Sequence, residues 1–208
     1  MEDIQKEKEK IRIDEKNYQL NEWKLTREQV QLVHASGSGT LAIIRPSRLD
    51  HPLVVANIER WCSETNTFHF NIHIGEMTPT LFDVYEILGL TVDGDPVTCR
   101  PIKDLQKFIE DNLGRVPDGN LVSLRHTWLK MNFRELPLDA TPVQVYRYTR
   151  AYMLFLISVT IVADALVSIV PTRYLQFFED IEGVSTYAWG AAALAFLYRS
   201  LGKACTFK

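Results

Sequence analysis

The sequence predicts a mainly α domain, α-rich α+β, in which the β component is a small hairpin or short sheet. Three observations predict it. Apolar residues recur at helical spacing in a series of segments from residue 53 to residue 203. One run, TFHFNIHI at 67–74, alternates with period two instead. The 208 residues, 46% hydrophobic and 24% charged, suit a single domain that buries its core without disulfide staples.

Taken in order, residues 1–28 interleave eight acids with seven bases. Their apolar residues are too sparse for a coiled-coil seam, so a solvated or frayed extension is expected. Ser36-Gly37-Ser38-Gly39 reads as a flexible joint. The expected division is therefore a charged N-terminal extension, 1–39, and a folded domain, 40–208, starting near Thr40.

Residues 53–62 form a short amphipathic helix, and 67–74 a half-buried strand. Thr78 and Pro79 suit an N-cap and first helical position, with Leu81, Val84, Ile87 and Leu88 as the apolar face and Gly89 as the stop. Asp93-Gly94 is a turn, and 96–99 a second short strand. Helices are expected over 102–113 and 121–133. The longest runs over 142–162 and opens on Thr141-Pro142-Val143-Gln144, a capping box with proline at the first position. Two more cover 172–182 and 186–203. The last is rich in Ala and Gly, which lets a neighbour approach closely and suggests a central, buried helix. Helices 142–162 and 186–203 are expected to pack together. Trp61, Phe68, Leu81, Val84, Leu88, Tyr152, Leu156, Trp189, Leu194 and Leu197 are the expected core.

The net charge of −3 provides no general attraction for nucleic acid or an anionic membrane. Three scattered cysteines, Cys62, Cys99 and Cys205, suggest reduced thiols, as in cytosol or nucleus. The N-terminus MEDIQKEKEK lacks the apolar region of a secretory signal. Residues 153–170 are apolar enough to raise a membrane span, but Asp164 inside them makes a buried helix the better reading.

Chemistry has few footholds. His69, His73, Glu76 and Cys62 lie close in sequence, but strand residues four apart are separated by roughly 13 Å, too far to share one ion. No GxSxG, Walker A or GxGxxG element occurs. A winged helix-turn-helix over 80–98 would place Asp93 and Asp95 where phosphate must approach. Arg150 and Tyr152 sit among apolar residues, so Arg150 is expected to pair with a carboxylate such as Glu179 or Asp164. No cofactor, metal or catalytic residue is expected.

Five stretches together are specific: Glu59-Arg60-Trp61 with 64–69, ETNTFH; 75–81, GEMTPTL, with Leu88-Gly89-Leu90; Asp93-Gly94 with Pro96-Val97-Thr98; Arg150-Ala151-Tyr152; and Tyr187-Ala188-Trp189-Gly190 with Leu197-Tyr198-Arg199. In order and spacing they resemble the plant mobile domain, also called aminotransferase-like, of the maintenance-of-meristems group. The resemblance covers about residues 40–205. It implies a non-enzymatic nuclear protein-interaction domain in meristem maintenance, gene regulation and transposon silencing. The cytoplasm is the other compartment considered. It implies a protein partner, a type 7 phosphatase-like protein among them, and no membrane. The aminotransferase label implies no activity, since no lysine stands in a pyridoxal-site context. A nucleic-acid-binding remnant of a transposable-element protein is the alternative. The link from His69 to Gly75 is longer than the family's, Ala163-Asp164 stands where Pro-Asp is usual, and the chain ends at Lys208 where relatives continue, so a C-terminally shortened domain is expected. The candidate structural or partner-binding residues are Arg60, Trp61, His69, Glu76, Arg150, Tyr152, Trp189 and Arg199.

Overall fold

The computed structural model describes residues 17–44, 50–71, 73–162 and 168–206. A 3-10 helix, Asn17–Glu22, leads into α1 (Arg27–Ala35) and α2 (Gly39–Ile43). Helix α3 (His51–Arg60) runs into a three-stranded antiparallel sheet of β1 (Trp61–Cys62), β2 (Thr67–His69) and β3 (Glu76–Met77). Helix α4 (Leu81–Leu88) and α5 (Leu105–Leu113) follow. Strand β4 (Ser123–Arg125) leads directly into α6 (His126–Phe133), and α7 spans Pro142–Thr160. Strand β5 (Ile169–Pro171) pairs antiparallel with β4, two 3-10 helices cover Thr172–Phe178 and Glu182–Thr186, and α8 (Trp189–Thr206) comes last. The α-rich α+β expectation holds.

Helix α7 is the axis. Its capping box forms as the sequence predicts, with the Thr141 and Gln144 side chains each accepting the other's backbone N–H. Every side chain from Ala151 to Val159 is buried. A helix apolar all round must be covered all round. Here α1, α5, α6, β5 and the 3-10 helices 17–22 and 172–178 cover it. That is why an apolar run that raised the membrane question is a core helix. Among the described residues no helix is long and apolar enough to cross a membrane. Asp164 lies outside the described residues.

Several expectations are corrected. The described part of the N-terminal extension is docked on the core by one face: Leu20, Trp23 and Val33 are buried in it, and Trp23 packs on Tyr152 and Phe155 at 5.6 and 5.4 Å between ring centroids. The packed unit thus begins well before Thr40. The strand expected over 67–74 ends at His69, because the Asn71 side chain accepts the N–H groups of His73 and Ile74 and bends the chain into a turn. Ile72 lies outside the described residues. Residues 96–99 form no strand. The second sheet is β4–β5 instead, and its first strand occupies the start of the helix expected over 121–133. Residues 172–182 wind as 3-10 turns, not an α-helix.

Helix α8 is not the partner of α7. It lies chiefly against α4, β1 and α3, and Leu197 is exposed on it. Its small residues do allow a close approach, but by an extended segment: the Gly190 N–H donates to Thr91 O at 2.8 Å, and a Cβ there would meet Val92 Cγ1 at 2.8 Å. The turn at Gly94 completes this junction. Asp95 exchanges backbone bonds with Thr186 and Ala188, both 2.9 Å. Gly94 has φ +124, and a Cβ there would collide with Thr186 O. Gly94→Ala is expected to cost about 2–4 kcal/mol from strain and displacement together, read as a lowered urea midpoint.

Candidate functional site

The residues singled out from sequence fall into two groups. Arg150, Tyr152 and Trp189 belong to the core. The Arg150 Nε donates to Phe178 O at 2.9 Å, one terminal nitrogen donates to Glu179 O at 2.7 Å, and the other to Asn112 O at 3.4 Å. It therefore binds backbone carbonyls and not the Glu179 carboxylate. The Glu179 carboxylate pairs with Arg100 at 2.9 Å. Burial lowers the Arg150 guanidinium from its ordinary pKa, and the Glu179 charge opposes that shift. Trp189 stacks on Phe178 with an interplanar angle of 3°, and its Nε1 donates to Val184 O at 3.2 Å. Arg150 and Trp189 thus both hold the end of the same 3-10 segment at Phe178, one by its carbonyl and the other by its ring. Tyr152 packs under Trp23. These three are structural.

The second group lies around the three-stranded sheet. The pairings Trp61↔Phe68↔Met77 and His69↔Glu76 give the sheet two unlike faces. On the apolar face, Trp61 is buried with its ring 4.8 Å from Phe68 and 5.5 Å from Tyr198 of α8. Phe70 continues the row at 6.3 Å from Phe68. On the polar face, Thr67 Oγ1 donates to Glu76 Oε2 at 3.1 Å, and His69 Nε2 sits 3.5 Å from Glu76 Oε1 and 3.2 Å from Thr65 Oγ1. This cluster has only one carboxylate and one imidazole. Among the described residues no group of three His, Cys, Asp or Glu side chains could hold a metal ion.

The turn from Cys62 to Thr67 bends through Asn66 at φ +55, a region Asn tolerates. Its hydrogen bonds lower the Cys62 thiol from its ordinary pKa, the Thr65 hydroxyl contributing most, then the Thr65 and Glu64 backbones. Burial raises the Cys99 thiol. Iodoacetamide at neutral pH is therefore expected to label Cys62 severalfold faster than Cys99, and Thr65→Val to slow Cys62 alone. Equal rates, or indifference to Thr65→Val, would contradict the assignment.

Arg60 and Arg199 make local contacts. Arg60 folds back onto Ala56 O of its own helix at 2.7 Å, and Arg199 lies over Phe196 at 5.2 Å. Thr78 is not a helix cap: its hydroxyl donates to Asn66 O and meets the Tyr198 hydroxyl, both at 2.7 Å. Thr80 is the cap, in a capping box with Asp83, whose carboxyl is held below its usual range by the Thr80 hydroxyl and N–H.

What sequence reasoning missed is the outer surface of α4. The segment LFDVYEIL has six apolar residues in eight, yet only Val84 is buried and Leu88 half-buried, against α8. Leu81, Phe82, Tyr85 and Ile87 are exposed at 41%, 70%, 53% and 69%, and Met77 of β3 at 56%. Leu81, Phe82 and Tyr85 fall within about 100° on one flank at 3.6 residues per turn. Residues 61–99 also contain six carboxylates (Glu64, Glu76, Asp83, Glu86, Asp93 and Asp95) and no lysine or arginine. The signal lies in the sequence itself: six apolar residues in eight exceed what one buried stripe of a two-turn helix takes up.

Ser158 Oγ lies 3.0 Å from His126 Nε2, but Ser158 also donates to Phe155 O at 2.6 Å and both residues are buried. With its proton engaged and no access, the hydroxyl ties α6 to α7.

The family model of the plant mobile domain matches residues 37–208. Protein MAIN-LIKE 2 of Arabidopsis thaliana is 46% identical over 197 residues, which cover 93% of this chain and 29% of that protein. Protein MAINTENANCE OF MERISTEMS of the same plant is 44% identical over 198 residues, 93% of this chain and 41% of that protein. A serine/threonine-protein phosphatase 7 long form homolog, also from Arabidopsis thaliana, is 41% identical over 162 residues, 76% of this chain and 12% of that protein. The chain spans less than half the length of each of these relatives. No solved structure matches it.

Proposed function

The chain belongs to the plant mobile domain family, and from that membership we propose that it is a non-enzymatic, nuclear protein-interaction domain serving meristem maintenance, gene regulation and transposon silencing. The observation that carries the interaction reading is the exposed apolar flank of α4 beside the sheet. Exposed apolar patches with polar surrounds are characteristic of binding surfaces. The names of the relatives support the meristem role. The partner proposed is a phosphatase-like protein, as the family resemblance implies; a phosphatase 7 long form homolog carries a segment matching this chain. The lysine- and arginine-free stretch 61–99 argues against phosphate-backbone binding on this side of the molecule.

The test is affinity purification of the tagged chain from plant nuclei, with and without nuclease, read by mass spectrometry. A nuclease-resistant phosphatase-like partner is the expected result. Recovery of partners only without nuclease would replace this reading with nucleic-acid binding.

A further inference from the structure

We propose that the outer flank of α4 is the docking site for a basic amphipathic helix of a partner protein. The proposal rests on the interaction reading above and specifies the partner's chemistry. Three observations lead to it. Helix α4 is anchored along one stripe only, through Val84 and Leu88, so a contiguous apolar flank formed by Leu81, Phe82 and Tyr85 faces outward. With six apolar residues in eight, α4 has more apolar surface than its one buried stripe takes up, so the uncovered flank is complementary to a second apolar stripe.

Charge defines that second stripe. Glu86 lies on the crest of α4 beside Phe82, and no cation pairs with it among the described residues. The whole stretch 61–99 carries carboxylates without a single lysine or arginine. The neighbouring cations are otherwise occupied: Arg60 on Ala56 O, Arg199 over Phe196, and Lys203 in an interaction of its own. An acidic helix in this position would be repelled, and an uncharged one would leave the acids to be desolvated unpaired. A helix with lysines or arginines flanking its apolar stripe meets both requirements. The platform is also held in place. Tyr198 of α8 donates to Pro79 O at 2.6 Å and meets Thr78, and the Thr80–Asp83 box fixes the first turn of α4. The surface is therefore preformed, which limits the ordering cost of binding.

The experiment titrates the full 208-residue chain into a fluorescein-labelled synthetic helix of leucine and lysine, patterned i, i+3, i+4, i+7. The comparison peptides are the same composition scrambled and the same pattern with glutamate for lysine. Saturable binding of the patterned lysine peptide is expected, with scrambled and glutamate peptides at least roughly tenfold weaker. Phe82→Ala/Tyr85→Ala is expected to weaken binding roughly tenfold or more. Glu86→Lys is expected to weaken the lysine peptide and strengthen the glutamate one. These side chains are exposed, so the melting temperature serves as a control and should not move. Equal binding of the scrambled peptide, or indifference to Phe82→Ala/Tyr85→Ala, overturns the proposal. Sedimentation of the chain alone is the second arm: a dimer that dissociates on Phe82→Ala/Tyr85→Ala would make a second copy the occupant and overturn it too. Partner recovery from nuclei without peptide binding would sink the docking site alone. Peptide binding without any nuclear protein partner would instead remove the reading on which it rests.

Discussion

A chain cut back to residues 37–208 is expected to lose its cooperative unfolding transition, although those residues are the ones the family model matches. The cut removes Leu20, Trp23 and Val33, which are 3%, 7% and 2% exposed. It also uncovers Tyr152 and Phe155 on α7, against which the Trp23 ring packs. At 1.5–3 kcal/mol for each fully buried large apolar side chain, the loss is about 5–9 kcal/mol. That is comparable with the whole stability of an ordinary domain, about 5–15 kcal/mol. Burial measured from a folded structure is an upper bound, so the milder variant Trp23→Ala calibrates it, with about 3–5 kcal/mol expected. Urea denaturation followed by tryptophan fluorescence and far-UV circular dichroism measures both. A shortened chain that retains one sharp transition at the parental midpoint would show that the N-terminal segment merely rests on the core.

Arg150→Ala is expected to cost about 3 kcal/mol. Its guanidinium donates to three carbonyls, those of Phe178, Glu179 and Asn112, at the junction of α5, α7 and the 3-10 helix 172–178. Hydrogen bonds to a charged group contribute about 1.5–3 kcal/mol each, and removal leaves the carbonyls without their donor. The planar fork is what reaches Phe178 and Glu179 together, so Arg150→Lys should recover less than half of the loss. Arg100→Ala is the contrast. Its pair with Glu179 is largely exposed, so under 1 kcal/mol is expected. If Arg100→Ala proved as costly as Arg150→Ala, the carboxylate and not the carbonyls would be the structural partner. The same melts, run at fixed pH, separate these outcomes.

Local chemistry was legible wherever neighbours in sequence are neighbours in space. The Thr141–Gln144 capping box, the stop of α4 at Gly89 and the long apolar helix α7 all follow from contacts a few residues apart. Errors arose where a side chain competed for the backbone. Asn71 ends β2 by taking two N–H groups, and Thr78 turns to Tyr198, 120 residues away, leaving the cap to Thr80. Strands β4 and β5 are three residues each, too short to show a period, and exist because they find each other across the 43 residues of chain between Arg125 and its partner Ile169. The candidate site divided likewise. Trp61, His69 and Glu76 were brought to one small sheet, whereas Arg60 and Arg199 turned to local contacts.

By itself, then, the sequence determined the helical class, the family, and a long apolar helix that something must cover, because composition and short-range periodicity reflect which surfaces avoid water. It could not determine what covers each face. The 3-10 helix 17–22 and α1 read as solvated because their charges are dense, yet a few apolar residues complete the coat of α7. Helix α4 read as a core helix because it is apolar, yet α8 reaches only one of its stripes and leaves Phe82 and Tyr85 outside. Periodicity states that an apolar surface exists; only the tertiary arrangement decides whether this chain buries that surface or presents it to another.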